Sequence, residues 1–109
     1  MELIDYYIIK FLECIVGKFN FISMEEARKL ALDEGYIVVD LRGAKEYYKS
    51  HIDNAINIPS ADVSQILEFG KKEYTWILYC TRGSFSFKLA SELSDCGYKA
   101  LAVVGGYRE

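Results

Sequence analysis

Tyr74-Thr75-Trp76-Ile77-Leu78-Tyr79-Cys80-Thr81-Arg82-Gly83-Ser84-Phe85-Ser86 passes from an apolar run, through a turn, into the start of a helix within thirteen residues. Tyr74 to Tyr79 is aromatic and β-branched, and it is the strongest strand signal in the chain. Cys80 stands at its end. Gly83 suits a tight turn, because glycine adopts backbone angles that other residues resist. From Ser84 to Cys96 the spacing predicts a helix, with Phe87, Leu89, Ala90 and Leu93 on its apolar face and Gly97 beyond it. A buried strand that hands directly to a helix is half of a parallel α/β unit.

The neighbouring segments repeat that pattern. Downstream, Ala100 to Val104 reads as a last strand, followed by Gly105-Gly106. Upstream, Ser23 and Glu26 have capping-box spacing, which starts a helix at about Met24, with Gly35 as its expected stop. Tyr36-Ile37-Val38-Val39-Asp40 is a short apolar run closed by a carboxylate and reads as a buried strand. Gly43 to Ser50 is polar and helical, and Ala55 to Ile58 is a short strand closed by Pro59, the only proline. Asp62 to Phe69 reads as a helix stopped by Gly70, and Phe19 to Ile22 as one more short strand. Alternating strands and helices predict an α/β fold with a mainly parallel sheet.

Composition sets the outer limits. The 109 residues suffice for one compact domain and are too few for two. Apolar residues make up 51% and charged residues 27%, a globular balance that argues against disorder. The formal net charge is −3, and no lysine/arginine block stands out, so there is no electrostatic case for nucleic-acid binding. Cys14, Cys80 and Cys96 are far apart and lack CxxC spacing, which excludes the usual zinc patterns; no metal and no cofactor are expected. An odd number of cysteines with no secretory signal fits free thiols in a reducing cytoplasm.

The first 18 residues are read separately from the domain, which is expected over 19–109. Ile4, Ile8, Phe11, Leu12 and Ile15 follow helical spacing, so residues 1–18 predict an amphipathic helix. Glu2, Asp5, Lys10 and Glu13 interrupt the apolar stretch, which is too short and too charged to span a membrane. Packing of that helix on its own domain is the simplest reading. A dimer contact or a membrane-surface helix are the alternatives, and the oligomeric state stays open.

In an open α/β sheet, ligands sit beyond the carboxyl ends of the strands. Two segments here have that position: Asp40-Leu41-Arg42, and Cys80 to Ser86. In the second, the first amides of the helix lack intrahelical partners and point back at the turn. Successive turn amides can also form a nest for an anion. Such a cradle favours thiolate over thiol, and the thiolate is the nucleophile. Arg82 could add a full positive charge, and Ser84 and Ser86 could donate hydroxyl hydrogen bonds to the sulfur or to a bound oxyanion. Taken alone, a cysteine after a strand is more simply buried packing. That is the reading for Cys14 and Cys96, which fall inside predicted helices.

The surroundings of Cys80 add a resemblance. Asp40-Leu41-Arg42, Glu46-Tyr47, His51-Ile52, Ala55 and Asn57-Ile58-Pro59 resemble the first signature of rhodanese-like domains. Tyr79-Cys80 with Gly83 and Ser86, then Gly97-Tyr98, Val103 and Gly105-Gly106, resemble the second. The likeness runs from about Ile22 to Tyr107. It implies a five-stranded parallel sheet flanked by helices, and sulfane sulfur carried as a persulfide on Cys80. Thiosulfate or a persulfide is then the donor, and cyanide, a thiol or a protein the acceptor. The loop of Thr81, Arg82, Gly83, Ser84, Phe85 and Ser86 would hold the anionic sulfur, with Asp40 and Arg42 as an ion pair in support. Loop length separates sulfurtransferases, with six residues from the cysteine, from the related phosphatases, with a longer loop. Cys80 to Phe85 gives six here, with Ser86 placed at the opening of the helix.

The pattern is broken in three places. Phe85 stands where many members carry arginine, Ser50 replaces the usual glycine before His51, and the chain stops soon after Gly105-Gly106, where members continue into a further helix. The residues before Phe19 are the candidate cover for the surface so exposed. His51, the only histidine, reads as a turn-fixing residue before it reads as a general base. Glu46 and Tyr47 read as helix surface and core, and Phe85 and Phe87 as pocket walls or packing. A sulfurtransferase is the first expectation. A regulatory or sulfur-relay binding module is the alternative, and a phosphatase or arsenate reductase is disfavoured by the short loop.

Overall fold

The computed structural model of the chain describes residues 19–109. Five strands form one sheet: β1 (Asn20–Ile22), β2 (Tyr36–Asp40), β3 (Ile56–Asn57), β4 (Thr75–Tyr79) and β5 (Lys99–Val103). Their order is β1-β5-β4-β2-β3, and every neighbouring pair is parallel. Four helices connect them: α1 (Met24–Leu30), α2 (Ala44–Lys49), α3 (Val63–Glu68) and α4 (Ser84–Asp95). The five-stranded parallel α/β sheet expected from the sequence is the one observed. The expected amphipathic helix over 1–18, and Cys14 within it, lie outside the described residues.

The local signals explain most element boundaries. Ser23 accepts from the Glu26 amide while Glu26 reaches back to the Ser23 amide, so the capping box forms as its spacing predicts. Asp62 and Gln65 build a second capping box at α3. Gly35 does not end α1, contrary to expectation. The helix stops at Leu30, and the Leu32 and Asp33 amides tighten onto the carbonyls three residues back. Gly35 instead turns the chain into β2, at φ 90°, and its carbonyl takes the Thr75 amide at 2.8 Å. The Ser84–Cys96 helix ends one residue early, with Cys96 as an exposed C-cap rather than as packing.

β4 lies between β2 and β5, and its alternation divides the core. Trp76, Leu78 and, beyond the strand, Cys80 pack in one cluster with Ile66, Leu89, Ala90 and Leu93 from α3 and α4. Ile77 and Tyr79 pack on the other face with Ile22, Ala27, Ile52 and Ala55. The side-chain period of two along a strand therefore sets which layer receives Cys80. No helix of the described residues is long and apolar enough to cross a membrane.

Candidate active site

Cys80 is the first residue after β4 and is 6% exposed. Gly83 closes the turn as the N-cap of α4, at φ 97°, which only glycine adopts without strain. That geometry turns the Gly83 amide onto Cys80 Sγ at 3.1 Å. The Ser86 hydroxyl sits 3.7 Å from the same sulfur and donates to the Gly83 carbonyl at 2.8 Å. Burial pushes the thiol up, but hydrogen bonds from Ser86, Gly83 and Arg82 outweigh it, and the Cys80 pKa is lowered.

The helix opens at Ser84, as its spacing predicts, and not at Ser86, where the loop count placed it. Ser84, Phe85 and Ser86 are therefore its first turn, and their amides are among those with no intrahelical partner. A cleft of about 370 Å³ lies over the sulfur. Of the expected site residues, Cys80, Thr81, Arg82, Ser84, Phe85 and Arg42 line it. Gly83 and Ser86 are buried and hold the sulfur through the hydrogen bonds just described. Among the described residues, no three His, Cys, Asp or Glu side chains gather as they would to hold a metal ion.

Asp40 and Arg42 do form an ion pair, and it is buried. Arg42 Nη2 meets Asp40 Oδ2 at 2.8 Å, its Nε reaches Oδ1 at 3.1 Å, and its backbone amide donates to Oδ1 at 2.8 Å. The same guanidinium donates to the Ser50 carbonyl at 2.7 Å. Burial works against the charge on Arg42, but the Asp40 carboxylate more than offsets it and raises the pKa. Asn57 ties the turn down by donating to the Asp40 and Arg42 carbonyls at 3.0 and 2.9 Å. Asp40 is wholly buried against Arg42 and does not line the cleft. His51 is a turn-fixing residue: its Nδ1 lies 2.7 Å from the Tyr47 carbonyl, and its ring stacks on Tyr47 at 3.8 Å.

Several contributors were not read from the sequence. Ser60, Leu41 and Gly43 also line the cleft. Ser60 follows β3, so the strand-end rule could have found it. The C-terminal segment is the larger omission. The Tyr107 amide donates to the Cys80 carbonyl at 2.9 Å, and its ring covers the Arg42 guanidinium at 3.8 Å and stacks on Tyr79 at 5.5 Å. Its hydroxyl donates to Ser50 Oγ at 2.9 Å. Gly106 passes so close that a Cβ there would lie 2.1 Å from the Thr81 carbonyl oxygen. The Gly105-Gly106 pair hinted at a turn, but nothing local pointed it at the Cys80 loop.

The chain is thus a parallel α/β domain with an amide-cradled thiol at the carboxyl end of its central strand. The family model described as "Rhodanese-like domain" matches residues 23–109. The chain belongs to the rhodanese-like domain family, and sulfur transfer is the function at that family level. It is 30% identical to the thiosulfate sulfurtransferase GlpE of Coxiella burnetii, over 79% of this chain and 81% of that one. It is 33% identical to the tRNA sulfurtransferase of Thermoplasma acidophilum, over 66% of this chain but 14% of that protein. Among solved structures, SSP1007 from Staphylococcus saprophyticus superposes with a TM-score of 0.69 at 26% identity, covering 81% of this chain and 89% of that one. A rhodanese-like domain protein from Staphylococcus aureus gives 0.68 at 27% identity, covering 81% and 87%.

Proposed function

We propose that Cys80 is the nucleophile and carries one sulfane sulfur at a time from a small anionic donor to a thiophilic acceptor. The supporting observation is the Gly83 amide 3.1 Å from Sγ, in a turn whose hydrogen bonds lower the thiol pKa. With thiosulfate, the Cys80 thiolate attacks the outer sulfur. A new S–S bond forms, the old S–S bond breaks, and sulfite leaves with its electron pair. Cys80 now bears a persulfide anion, whose added charge reaches into the cleft lined by Arg82 and Ser84. An acceptor such as cyanide or a thiolate attacks the terminal sulfur, and the electron pair of the broken bond returns to Cys80.

The turn serves both half-reactions. Its amides stabilise the thiolate as nucleophile in the first step and as leaving group in the second. A cleft of about 370 Å³ has room for thiosulfate over the sulfur. Phe85 occupies a wall where a cation would help a dianionic donor, which leaves Arg82 as the loop's own positive charge.

Purified protein with thiosulfate and cyanide should form thiocyanate, read as its coloured iron complex. Cys80→Ser should remove at least about a hundredfold of that rate, because a hydroxyl is not ionised at neutral pH. Intact mass after thiosulfate treatment should show one added sulfur on the native chain and none on the variant. A serine variant that turns over normally would refute the assignment.

A further inference from the structure

α4 packs over β5 and β4, and β1 lies outside β5 at the edge of the sheet. Phe21 of β1 stands level with Ala102 of β5, which belongs to the core under α4, so its ring rises on the α4 side. Three aromatic rings meet there. Phe19 and Phe21 are edge to face at 5.1 Å, and Phe21 and Phe87 at 4.7 Å. Phe21 is nevertheless 50% exposed, so the cluster shows an apolar side to whatever lies beyond it. Among the described residues, α3 and α4 are the helices packed on this face. Ser91 and Ser94 continue the row of Phe87 along α4, one and two turns on. Both are small enough for a further helix to approach at the usual spacing of about 8–10 Å. The Ser94 hydroxyl is buried with no hydrogen-bond partner among the described residues.

The patch bears on the thiol. The Phe87 ring lies against Gly83, whose Cβ, were there one, would sit 3.8 Å from Phe87 Cε1. Gly83 is the residue whose amide reaches Cys80 Sγ. Whatever fixes Phe87 therefore also fixes the turn.

The chain itself supplies the apolar partner that fits. Residues 1–18 lie outside the described residues and run directly into Phe19, a member of the patch. Ile4, Ile8, Phe11, Leu12 and Ile15 recur at helical spacing, with Lys10 and Glu13 opposite them. Gly17 stands three residues before β1, much as Gly97, at φ 84°, stands two before β5. Gly97 turns α4 back into its strand, and the same turn at Gly17 would set a helix beside α4. A tether this short keeps the segment at an effective concentration on the order of millimolar, ahead of a second molecule.

We propose that residues 1–18 dock on this face as a helix beside α4, and that they brace the turn holding Cys80 by pinning the Phe87 ring against Gly83. Climbing about 1.5 Å per residue, Phe11 comes about 9 Å above Gly17, near the level of Phe21, and Ile8 lies one turn nearer Phe87.

The test uses the full chain and thermal unfolding. Ile8→Asp should lower Tm by about 10 °C, whereas Tyr6→Asp, on the opposite side of the helix, should move it by no more than about 2 °C. If Ile8→Asp does not fold, Ile8→Ala carries the comparison with a smaller loss. Phe11→Ala and Phe21→Ala should each lower Tm, and the double variant should fall well short of their sum, because the two rings share one contact. Iodoacetamide alkylation of Cys80 at neutral pH, measured well below the Tm, should slow about threefold in Ile8→Ala and stay unchanged in Tyr6→Asp. Equal small shifts for Ile8→Asp and Tyr6→Asp would overturn the docking, as would additive losses at Phe11 and Phe21. A Tm that rises with protein concentration would give the face to a second copy instead. Binding of the native chain to phosphatidylglycerol vesicles, lost in Ile8→Asp with Tm unmoved, would give the stripe to a membrane surface. An alkylation rate indifferent to Ile8→Ala would overturn the bracing.

Discussion

At the scale of single residues, the site is a problem of holding one negative charge out of bulk water. Cys80 is buried enough that its surroundings penalise ionisation, yet hydrogen bonds from its own loop reverse the balance. Alkylation by iodoacetamide follows the thiolate, so its rate against pH should show a midpoint displaced below the ordinary thiol range. Ser86→Ala removes both the hydroxyl beside the sulfur and the bond that fixes the Gly83 carbonyl. Its midpoint should move upward, and alkylation at neutral pH should slow about threefold. An unmoved midpoint would mean that the backbone amides alone set the thiolate. The same displacement couples to folding. Because the folded-state value lies below the unfolded one, the contribution is fully present above the unfolded pKa. It is lost as pH falls through the folded pKa. Asp40 and Arg42 act differently. Their charges are already paired, and through the Ser50 carbonyl and the Tyr107 ring they lock the loop after β2 to the C-terminal segment.

At the scale of elements, the Cys80 loop is held from two sides. α4 supplies amides from below, and the segment after β5 crosses it with Gly106 and the Tyr107 amide. Two glycines separate backbone strain from this contact. Gly35 has φ 90° and open space where a Cβ would go, so Gly35→Ala should cost about 1 kcal/mol in urea denaturation and leave sulfur transfer intact. Gly106 has φ 79°, and its Cβ would collide with the Thr81 backbone. Gly106→Ala should therefore push the loop outward, raise the alkylation midpoint of Cys80, and lower transfer at least about tenfold. Equal behaviour of the two variants in the transfer assay would show that the crossing does not position the loop. This contrast also marks what the sequence revealed. Tyr36 to Asp40 was legible to the residue, since a β-branched run between Gly35 and a polar turn has one reading. The placement of Cys80, Gly83 and Ser86 in one turn was legible because strand, turn and helix are consecutive, whereas the reading of Cys80 as a nucleophile came from the resemblance of the flanking motifs. Tyr107 over Arg42 was not, because that contact exists only once β5 lies beside β4 and brings residues 65 positions apart together. The helix start at Ser84 was legible from its spacing, but the six-residue loop count overlapped it, because Ser84, Phe85 and Ser86 are all compatible with loop and first turn.

At the scale of the whole molecule, the sheet separates two cores that belong to one folding unit. Ile66 sits wholly buried in the core shared by α3, α4 and Cys80, and Ile52 wholly buried in the core on the opposite face. Neither cluster contains the other's isoleucine, and β4 contributes alternate residues to each. Removing one methylene from either side should therefore act independently on stability. Ile52→Val and Ile66→Val should each cost about 0.5–1.5 kcal/mol, and the double variant should cost their sum within about 0.5 kcal/mol. A single urea transition should persist throughout, because a domain this small unfolds as one unit. Activity should not follow stability symmetrically. Ile66 shares a core with Cys80 and Leu89, so its loss loosens the packing under the first turn of α4. Ile52 touches the site only indirectly, its amide donating to the Tyr79 hydroxyl at 3.2 Å. At equal destabilisation, Ile66→Val should lower thiocyanate formation more than Ile52→Val does, measured well below the unfolding midpoint of both. The reverse ranking would place control of the thiol in the Tyr79, Arg42 and Tyr107 stack on the opposite face rather than in the helix that supplies its amides.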